Sequence, residues 1–146
     1  MTGVVPALAA IAAAFAQPAA LVVNAVPGRA AQPAALTLQA TFEVQCGHIG
    51  QMTVDLPAAM GVRANIAPGA VLVDGAHPAS VRTTGHVVQV TMPPPQGVMC
   101  DSIGPARITL RLTKAAGLVN PKRAGFYAVS LRIQAATAAG RLKITR

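Results

Sequence analysis

The stretch that decides the fold is residues 106–113, Ala-Arg-Ile-Thr-Leu-Arg-Leu-Thr, in which apolar and polar side chains alternate without a break. Alternation with a period of two places successive side chains on opposite faces of an extended strand. Residues 126–134 show the same period, with Tyr127, Val129, Leu131 and Ile133 on one face. The two stretches therefore predict strands that bury one face and expose the other, as in antiparallel sheets.

Short segments of the same kind occur elsewhere in the chain. They are predicted at residues 36–45, 51–56, 71–73, 80–83, 86–92 and 142–144. Turn signals separate them, because Asp74-Gly75 is a strong turn dipeptide, Thr84-Gly85 indicates a hairpin, and Pro93-Pro94-Pro95 prevents further pairing. Seven or eight short strands, with no convincing helix beyond residue 35, predict an all-β fold, a single Ig-like antiparallel β-sandwich.

The N-terminal segment carries no charged side chain over residues 1–28 and contains an apolar, alanine-rich run over residues 4–16. Such a run is typical of an export signal, and small-residue cleavage patterns end at Ala16, Ala25 and Ala30. An uncleaved membrane anchor over residues 3–23 and a buried helix are the alternatives. The predicted organisation is a signal peptide or membrane anchor at 1–25, a linker at 26–35 and the β-sandwich at 36–146. The predicted location is secreted or associated with the cell envelope.

Twelve Lys and Arg residues against four Asp and Glu residues give a formal net charge of +8. This excess is explained either by generic surface charge or by an anionic partner, such as an acidic wall polymer or polysaccharide. If the strands at 106–113 and 126–134 pair with each other, Arg107, Arg111 and Arg132 share an outward face and form a candidate anion-binding site. Nucleic acid is not expected as a partner, because no aromatic residues interleave with these arginines to stack on bases.

The two cysteines, Cys46 and Cys100, are predicted to form a disulfide, because paired cysteines in an exported chain are normally oxidised. Two free thiols and a metal site are the alternatives. A metal site would use the soft ligands that suit copper, namely Cys46, His48, Met52, Met99 and Cys100. No histidine precedes this cluster, and a zinc site would need His77 or His86 from separate loops, so we predict no metal and no cofactor.

A corner precedes the predicted strand at residues 126–134. Its sequence is Leu118-Val119-Asn120-Pro121-Lys122-Arg123-Ala124-Gly125-Phe126-Tyr127. Asn120-Pro121 favours a turn, and Gly125 lets the chain bend back into the strand. Tyr127 lies on the inward face, where its hydroxyl needs a partner, and a backbone carbonyl of the corner suits that role.

This segment resembles the "G-[IV]-x-N-P-x-x-A-G-x-Y" corner of Ig-like sandwich modules in secreted bacterial and archaeal cell-surface proteins. Residues 53–57 and 71–75 are similar to further steps of that pattern. The resemblance implies an Ig-like fold, structural roles for Asn120, Pro121, Gly125 and Tyr127, and no catalytic residues.

Catalytic signatures are missing from the sequence, which contains no phosphate-binding loop, dinucleotide fingerprint, nucleophile elbow or H-E-x-x-H zinc motif. The spacing of the four carboxylates predicts no acid–base pair. We therefore predict an exported, non-enzymatic structural or interaction module of the envelope or extracellular space. A binding domain for an anionic wall polymer or polysaccharide is the alternative. The expected partners are other envelope proteins or further copies of this chain, through a strand donated from residues 34–45, and the membrane only through an uncleaved N-terminus.

Overall fold

The computed structural model of the chain describes residues 19–44, 50–93 and 104–146. These residues form ten strands, namely β1 (Ala19–Ala20), β2 (Val22–Val26), β3 (Ala35–Val44), β4 (Gln51–Asp55), β5 (Val71–Val73), β6 (Ser80–Thr84), β7 (Val87–Thr91), β8 (Gly104–Leu112), β9 (Gly125–Ile133) and β10 (Ala136–Ile144). Two 3₁₀ turns, at Pro68–Ala70 and Lys114–Ala116, are the helical elements of this part of the chain.

The strands form two sheets. One has six strands in the order β1-β10-β9-β4-β7-β6, and the other has four in the order β2-β3-β8-β5. Hydrogen-bonded neighbours are antiparallel, apart from the short parallel pair of β1 with β10. The prediction of an all-β, two-sheet architecture is confirmed. The predicted number of seven or eight strands is too low, because two of the ten strands lie in the segment before residue 27.

The core lies between the two sheets and is filled mainly by aliphatic side chains. The inward residues of the two deciding strands, Leu110 and Leu112 of β8 and Leu131 and Ile133 of β9, are at most 1% exposed. Phe42 of β3 supplies an aromatic ring that is 1% exposed. Full burial of one such side chain stabilises the fold by about 1.5–3 kcal/mol, so interleaved Leu, Ile and Val from two sheets can hold a sandwich with few aromatics.

Two predicted turns are confirmed by the backbone. After β5, Asp74 and Gly75 adopt φ values of 48° and 84°, and the N–H of Val73 donates to the carbonyl of Ala76 at 2.8 Å. The β6–β7 hairpin turns at Gly85, which has a φ of 61°. Positive φ at these positions favours Gly and Asp, because their side chains are absent or short.

The segment predicted as signal or anchor contributes strands β1 and β2. Leu21 and Val23 are 6% and 8% exposed within the core, and the Leu21 N–H donates to the carbonyl of Ala139 at 3.0 Å. β2 pairs along its full length with β3. A Cβ added to Gly140 would overlap the carbonyl oxygen of Leu21, so the backbones approach as closely as glycine permits. The sandwich therefore begins at or before Ala19 and not at residue 36. The signal or anchor prediction for residues 1–18 lies outside the described residues.

The predicted linker at 26–35 is also wrong as a structural assignment. Residues 28–34 are hydrogen-bonded to the corner and to the end of β10. The backbone N–H groups of Ala30, Ala31 and Ala34 donate to carbonyls of residues 145, 121 and 118 at 2.8, 2.9 and 3.0 Å. Pro27, Gly28 and Pro33 suggested a flexible connection, but here they shape a segment whose backbone groups are paired within the fold.

The strands at 106–113 and 126–134 do not pair with each other, which was the condition for a shared site of Arg107, Arg111 and Arg132. β8 pairs with β3 and β5, whereas β9 pairs with β10 and β4 in the other sheet. The inward faces of β8 and β9 are therefore brought together within the same core, and the strands are not side by side. Alternation is satisfied equally by both arrangements, because it reports which face is buried and not which strand is adjacent.

The predicted strand donation from residues 34–45 is not available in this fold. β3 spans most of that stretch and pairs with β2 on one side and β8 on the other. Leu36 and Leu38 of β3 are 1% and 0% exposed, so donating the strand would open the core.

Candidate binding surfaces

The corner before β9 is centred on a buried asparagine. Asn120 is 2% exposed, and its Nδ2 donates to the carbonyls of Pro27 and Arg29 at 2.8 Å each. Its backbone N–H donates to the carbonyl of Gln32 at 2.9 Å. One residue thus satisfies three carbonyl groups of the N-terminal segment, and the role of Asn120 is to join that segment to the corner.

Tyr127 behaves as the corner sequence predicts. Its hydroxyl donates to the carbonyl of Arg123, four residues upstream, at 2.7 Å. The ring is half-buried against the core. Gly125, which opens β9, has a φ of 155°, a conformation that side-chain-bearing residues rarely adopt. The corner is therefore a structural device, and it delivers the outward residue Phe126 to the start of β9.

The three arginines proposed to bind an anion do not share a surface. All three are exposed, as predicted. Arg107 and Arg111 lie on the outer face of the four-stranded sheet, where Arg107 Nη2 donates to Gln39 Oε1 at 3.3 Å. Arg132 lies on β9, whose outer face is on the opposite side of the sandwich. A single site that combines the three is excluded, because the core separates them.

Positive charge covers both sides of the molecule. All twelve Lys and Arg residues fall within the described ranges, and every one of them is exposed. The contact between acidic and basic side chains in the described residues joins His86 Nε2 to Asp55 Oδ1 at 3.4 Å, and it involves no Lys or Arg. In the described part of the chain, the basic groups are therefore available to an external anion.

A shallow groove of about 570 Å³ lies on the outer face of the six-stranded sheet. Phe126, Ala128 and Ser130 of β9 and the segment 55–59 line it, together with neighbouring residues of β10. Phe126 is 66% exposed, although aromatic residues are usually covered. We call this feature the Phe126 groove.

One end of the Phe126 groove borders the Asp55–His86 pair. Asp55 lies opposite Ser130 in the β4–β9 register and contacts His86 on its other side. A serine nucleophile requires the histidine between the serine and the carboxylate, as in acyl-transfer triads. Here the carboxylate lies between the other two groups, and the three residues do not form a catalytic triad.

The residues considered for a metal site are mostly outside the described ranges. Cys46, His48, Met99 and Cys100 lie there, and the predicted disulfide between Cys46 and Cys100 lies there with them. Met52 is 0% exposed within the core. Among the described side chains, no three His, Cys, Asp or Glu residues come together. Over the same residues, no helix is both long enough and apolar enough to cross a membrane.

These features define a two-sheet β-sandwich with open, basic outer faces. No family model matches the chain, and no curated protein sequence does so either. Among solved structures, it is similar to BslA, described as a bacterial hydrophobin, with a TM-score of 0.56 and 16% identity over 87% of this chain and 98% of that one. It is also similar to the N-terminal domain of the Streptococcus gordonii adhesin Sgo0707, with a TM-score of 0.46 and 16% identity, over 89% of this chain and 33% of that one. At these identities the likeness to BslA establishes the fold alone.

Proposed function

We propose that this chain is an exported, non-enzymatic, Ig-like β-sandwich that acts as a structural or interaction module of the cell envelope or extracellular space. The observation that carries the proposal is a two-sheet scaffold whose outer faces present basic side chains without carboxylate partners in the described residues. The Tyr127–Arg123 hydrogen bond supports the Ig-like assignment, because tyrosine corners of this kind are a feature of such sandwiches. The likeness to a bacterial hydrophobin supports a location outside the cell.

The part of the surface formed by residues 19–44, 50–93 and 104–146 favours polar interactions over the formation of an apolar film. A hydrophobin-like role would require a contiguous apolar patch, since patches of several hundred Å² mark such surfaces. In the described residues the exposed large hydrophobic side chains are Val22, Val26, Val119 and Phe126. The first two lie on the outer face of the four-stranded sheet, Val119 lies in the corner, and Phe126 lies on the other sheet. They do not form one patch.

A second candidate function is binding to an anionic wall polymer or polysaccharide. The net charge of +8 and the exposure of all twelve basic residues favour it, because an excess of one charge raises the local concentration of oppositely charged polymers. This function is compatible with the first, since an envelope module can be held in place by such a polymer.

The proposed disulfide is part of this extracellular assignment. β3 and β8 pair up to Val44 and Gly104, so the chain leaves two adjacent positions toward Cys46 and Cys100. Cys46 follows Val44 by two positions in the sequence, and Cys100 precedes Gly104 by four. Protein isolated from its own compartment without reductant is expected to show no titratable thiol. Two titratable thiols would exclude the bridge.

The experiment that tests the function is fractionation of the native host, followed by N-terminal sequencing of the recovered chain. We expect the protein in the medium or the envelope fraction, with its N-terminus at or after Gln17 and no later than Ala19, so that β1 and β2 remain. A structural module should self-associate or co-fractionate with envelope proteins, whereas a polymer-binding domain should be released from a wall preparation by salt. Recovery in the cytosol with an intact Met1 or Thr2 terminus would contradict the proposal.

A further inference from the structure

We infer that the Phe126 groove binds one chain of an acidic polysaccharide, with the aromatic ring against a sugar and the basic residues of β10 on its carboxylates. The inference rests on the second candidate function and gives it a site, which neither the net charge nor the fold specifies. It depends on three properties of the groove: its floor, its aromatic residue and the charge along its border.

The floor of the groove is open and made of small residues. Every second side chain of β9 points outward, so the small residues Ala128 and Ser130 follow Phe126 on the same face and form the floor beyond its ring. Ala139 of β10 lies opposite Ser130 and also lines the groove. Residues 57–59, which follow β4 and Leu56 in the chain, line it as well. Small side chains leave room for an extended polymer to lie along the sheet, and the ring of Phe126 stands beside that path.

The exposed ring supplies an apolar surface of the right kind. Among the described aromatic side chains, Phe42 is buried and Tyr127 is half-buried, while Phe126 is 66% exposed. The face of a pyranose ring that carries C–H groups is apolar, and it packs on an aromatic ring while the hydroxyl groups remain in water. An aromatic residue kept in solvent on a strand loses hydrophobic stabilisation, and a bound sugar ring would recover part of it.

The charge along the border selects for acidic sugars. Lys143 of β10 lies directly opposite Phe126, and Arg141 lies opposite Ala128, with both basic side chains exposed. Cβ atoms of opposite residues in an antiparallel pair are about 4.5–5.5 Å apart, so both basic residues flank Phe126 and Ala128, which line the groove. Asp55 lies at the opposite end of the groove and contacts His86 at 3.4 Å. Lys and Arg form charge-assisted hydrogen bonds with carboxylates, which neutral polysaccharides do not offer.

The shape of the site favours a polymer chain over a lipid surface. Phe126 begins a strand and lines a concave groove, whereas residues that insert into a bilayer project from a convex tip or an amphipathic helix. A second copy of this chain is also disfavoured, because the same basic border would face it. Anionic vesicles therefore serve as an alternative ligand in the test and not as a second proposal.

The test compares matched variants of the purified protein in binding to polygalacturonate, with dextran as a neutral polysaccharide and vesicles containing anionic phospholipid as the lipid probe. Arg141→Gln with Lys143→Gln removes two charges at the groove. Arg107→Gln with Arg111→Gln removes the same charge from the opposite face and is the matched control. Phe126→Ala tests the ring, and Val22→Ala, at a residue 54% exposed on the other sheet, controls for loss of an apolar side chain. Thermal unfolding of each variant establishes that it is folded.

We expect the Arg141–Lys143 variant to bind polygalacturonate about tenfold more weakly, and the Arg107–Arg111 variant to lose less than about threefold through general attraction alone. We expect Phe126→Ala to lose about fivefold at a salt concentration that screens general attraction, and Val22→Ala to remain unchanged. Dextran should not bind. Equal losses in the two charge variants, or vesicle binding without polygalacturonate binding, would overturn the groove assignment. Such a result would leave the envelope location untouched, since that is measured separately by fractionation.

Discussion

Replacement of Asn120 tests the way the N-terminal segment is held in the fold. In the wild-type protein, Asn120 Nδ2 donates two hydrogen bonds of 2.8 Å to the carbonyls of Pro27 and Arg29. Asn120→Ala removes both donors from a site that is 2% exposed. Each lost hydrogen bond costs about 0.5–1.5 kcal/mol, and an acceptor left unsatisfied in a buried site raises that to about 1–3 kcal/mol. We therefore expect the free energy of unfolding to fall by about 3 kcal/mol.

The assay is urea denaturation followed by circular dichroism, with thermal unfolding in parallel. For a domain of this size, about 3 kcal/mol corresponds to a decrease in Tm of about 10 °C. Asn24→Ala is the matched control, because Asn24 is exposed on β2 and should change stability by less than about 0.5 kcal/mol. Asn120→Asp should destabilise at least as much as Asn120→Ala at neutral pH, since it directs a carboxylate at two carbonyl oxygens.

A loss below about 0.5 kcal/mol for Asn120→Ala would refute the reasoning, because surface substitutions alone cause changes of that size. It would mean that the N-terminal segment is not clamped to the corner in solution. Equal losses in the Asn24 and Asn120 variants would lead to the same conclusion. A change in the denaturant slope would indicate instead that the variant alters the unfolded state or breaks two-state behaviour.

Three further predictions concern the same architecture. Gly140→Ala should lower the free energy of unfolding by more than about 2 kcal/mol, because its Cβ would overlap the Leu21 carbonyl. Gly69→Ala is the control and should be nearly neutral, because no atom lies within 4 Å of the added Cβ. Equal unfolding midpoints for the two variants would be inconsistent with the close approach of Leu21 to Gly140. Removal of residues 1–16 should leave the unfolding midpoint unchanged. Removal of residues 1–26 should lower the free energy of unfolding by about 4 kcal/mol, because the buried side chains of Leu21 and Val23 are lost. Two equally stable truncations would show that β1 and β2 are dispensable. Simultaneous replacement of Arg107, Arg111 and Arg132 by Ala should leave the protein folded at room temperature, as judged by circular dichroism, because all three are exposed. An unfolded variant would show that their outward placement is wrong.

Local sequence patterns predicted the elements whose causes are themselves local. Alternation over 106–113 and 126–134 predicted β8 and β9 with their buried faces, because a period of two is a property of the extended backbone. Asp74-Gly75 predicted a turn from the φ values that these two residues tolerate. Tyr127 was expected to donate to a backbone carbonyl of its corner, and the acceptor lies four residues away.

The N-terminal segment was mispredicted because its composition is ambiguous. An uncharged apolar run suits an export signal, a membrane anchor and a buried strand equally well, and residues 19–26 belong to the last class in this fold. Val22, Asn24 and Val26 are exposed while Val23 is buried, but this alternation is short and partly hidden among alanines. Pro27 and Gly28 suggested a linker, since their pairing with the corner and with β10 depends on residues more than 90 positions away.

The sequence by itself determined which residues face inward along most strands, where the chain turns, and that the surface is strongly basic. These follow from backbone periodicity, from conformations allowed to Gly and Asp, and from a count of charges. Only the tertiary structure decided which strands are neighbours, and with them which basic residues meet. It separated Arg132 from Arg107 and Arg111 by the thickness of the core, and it placed Lys143 opposite Phe126. The physical reason is that burial acts on each strand singly, whereas strand order depends on how all ten close one core together.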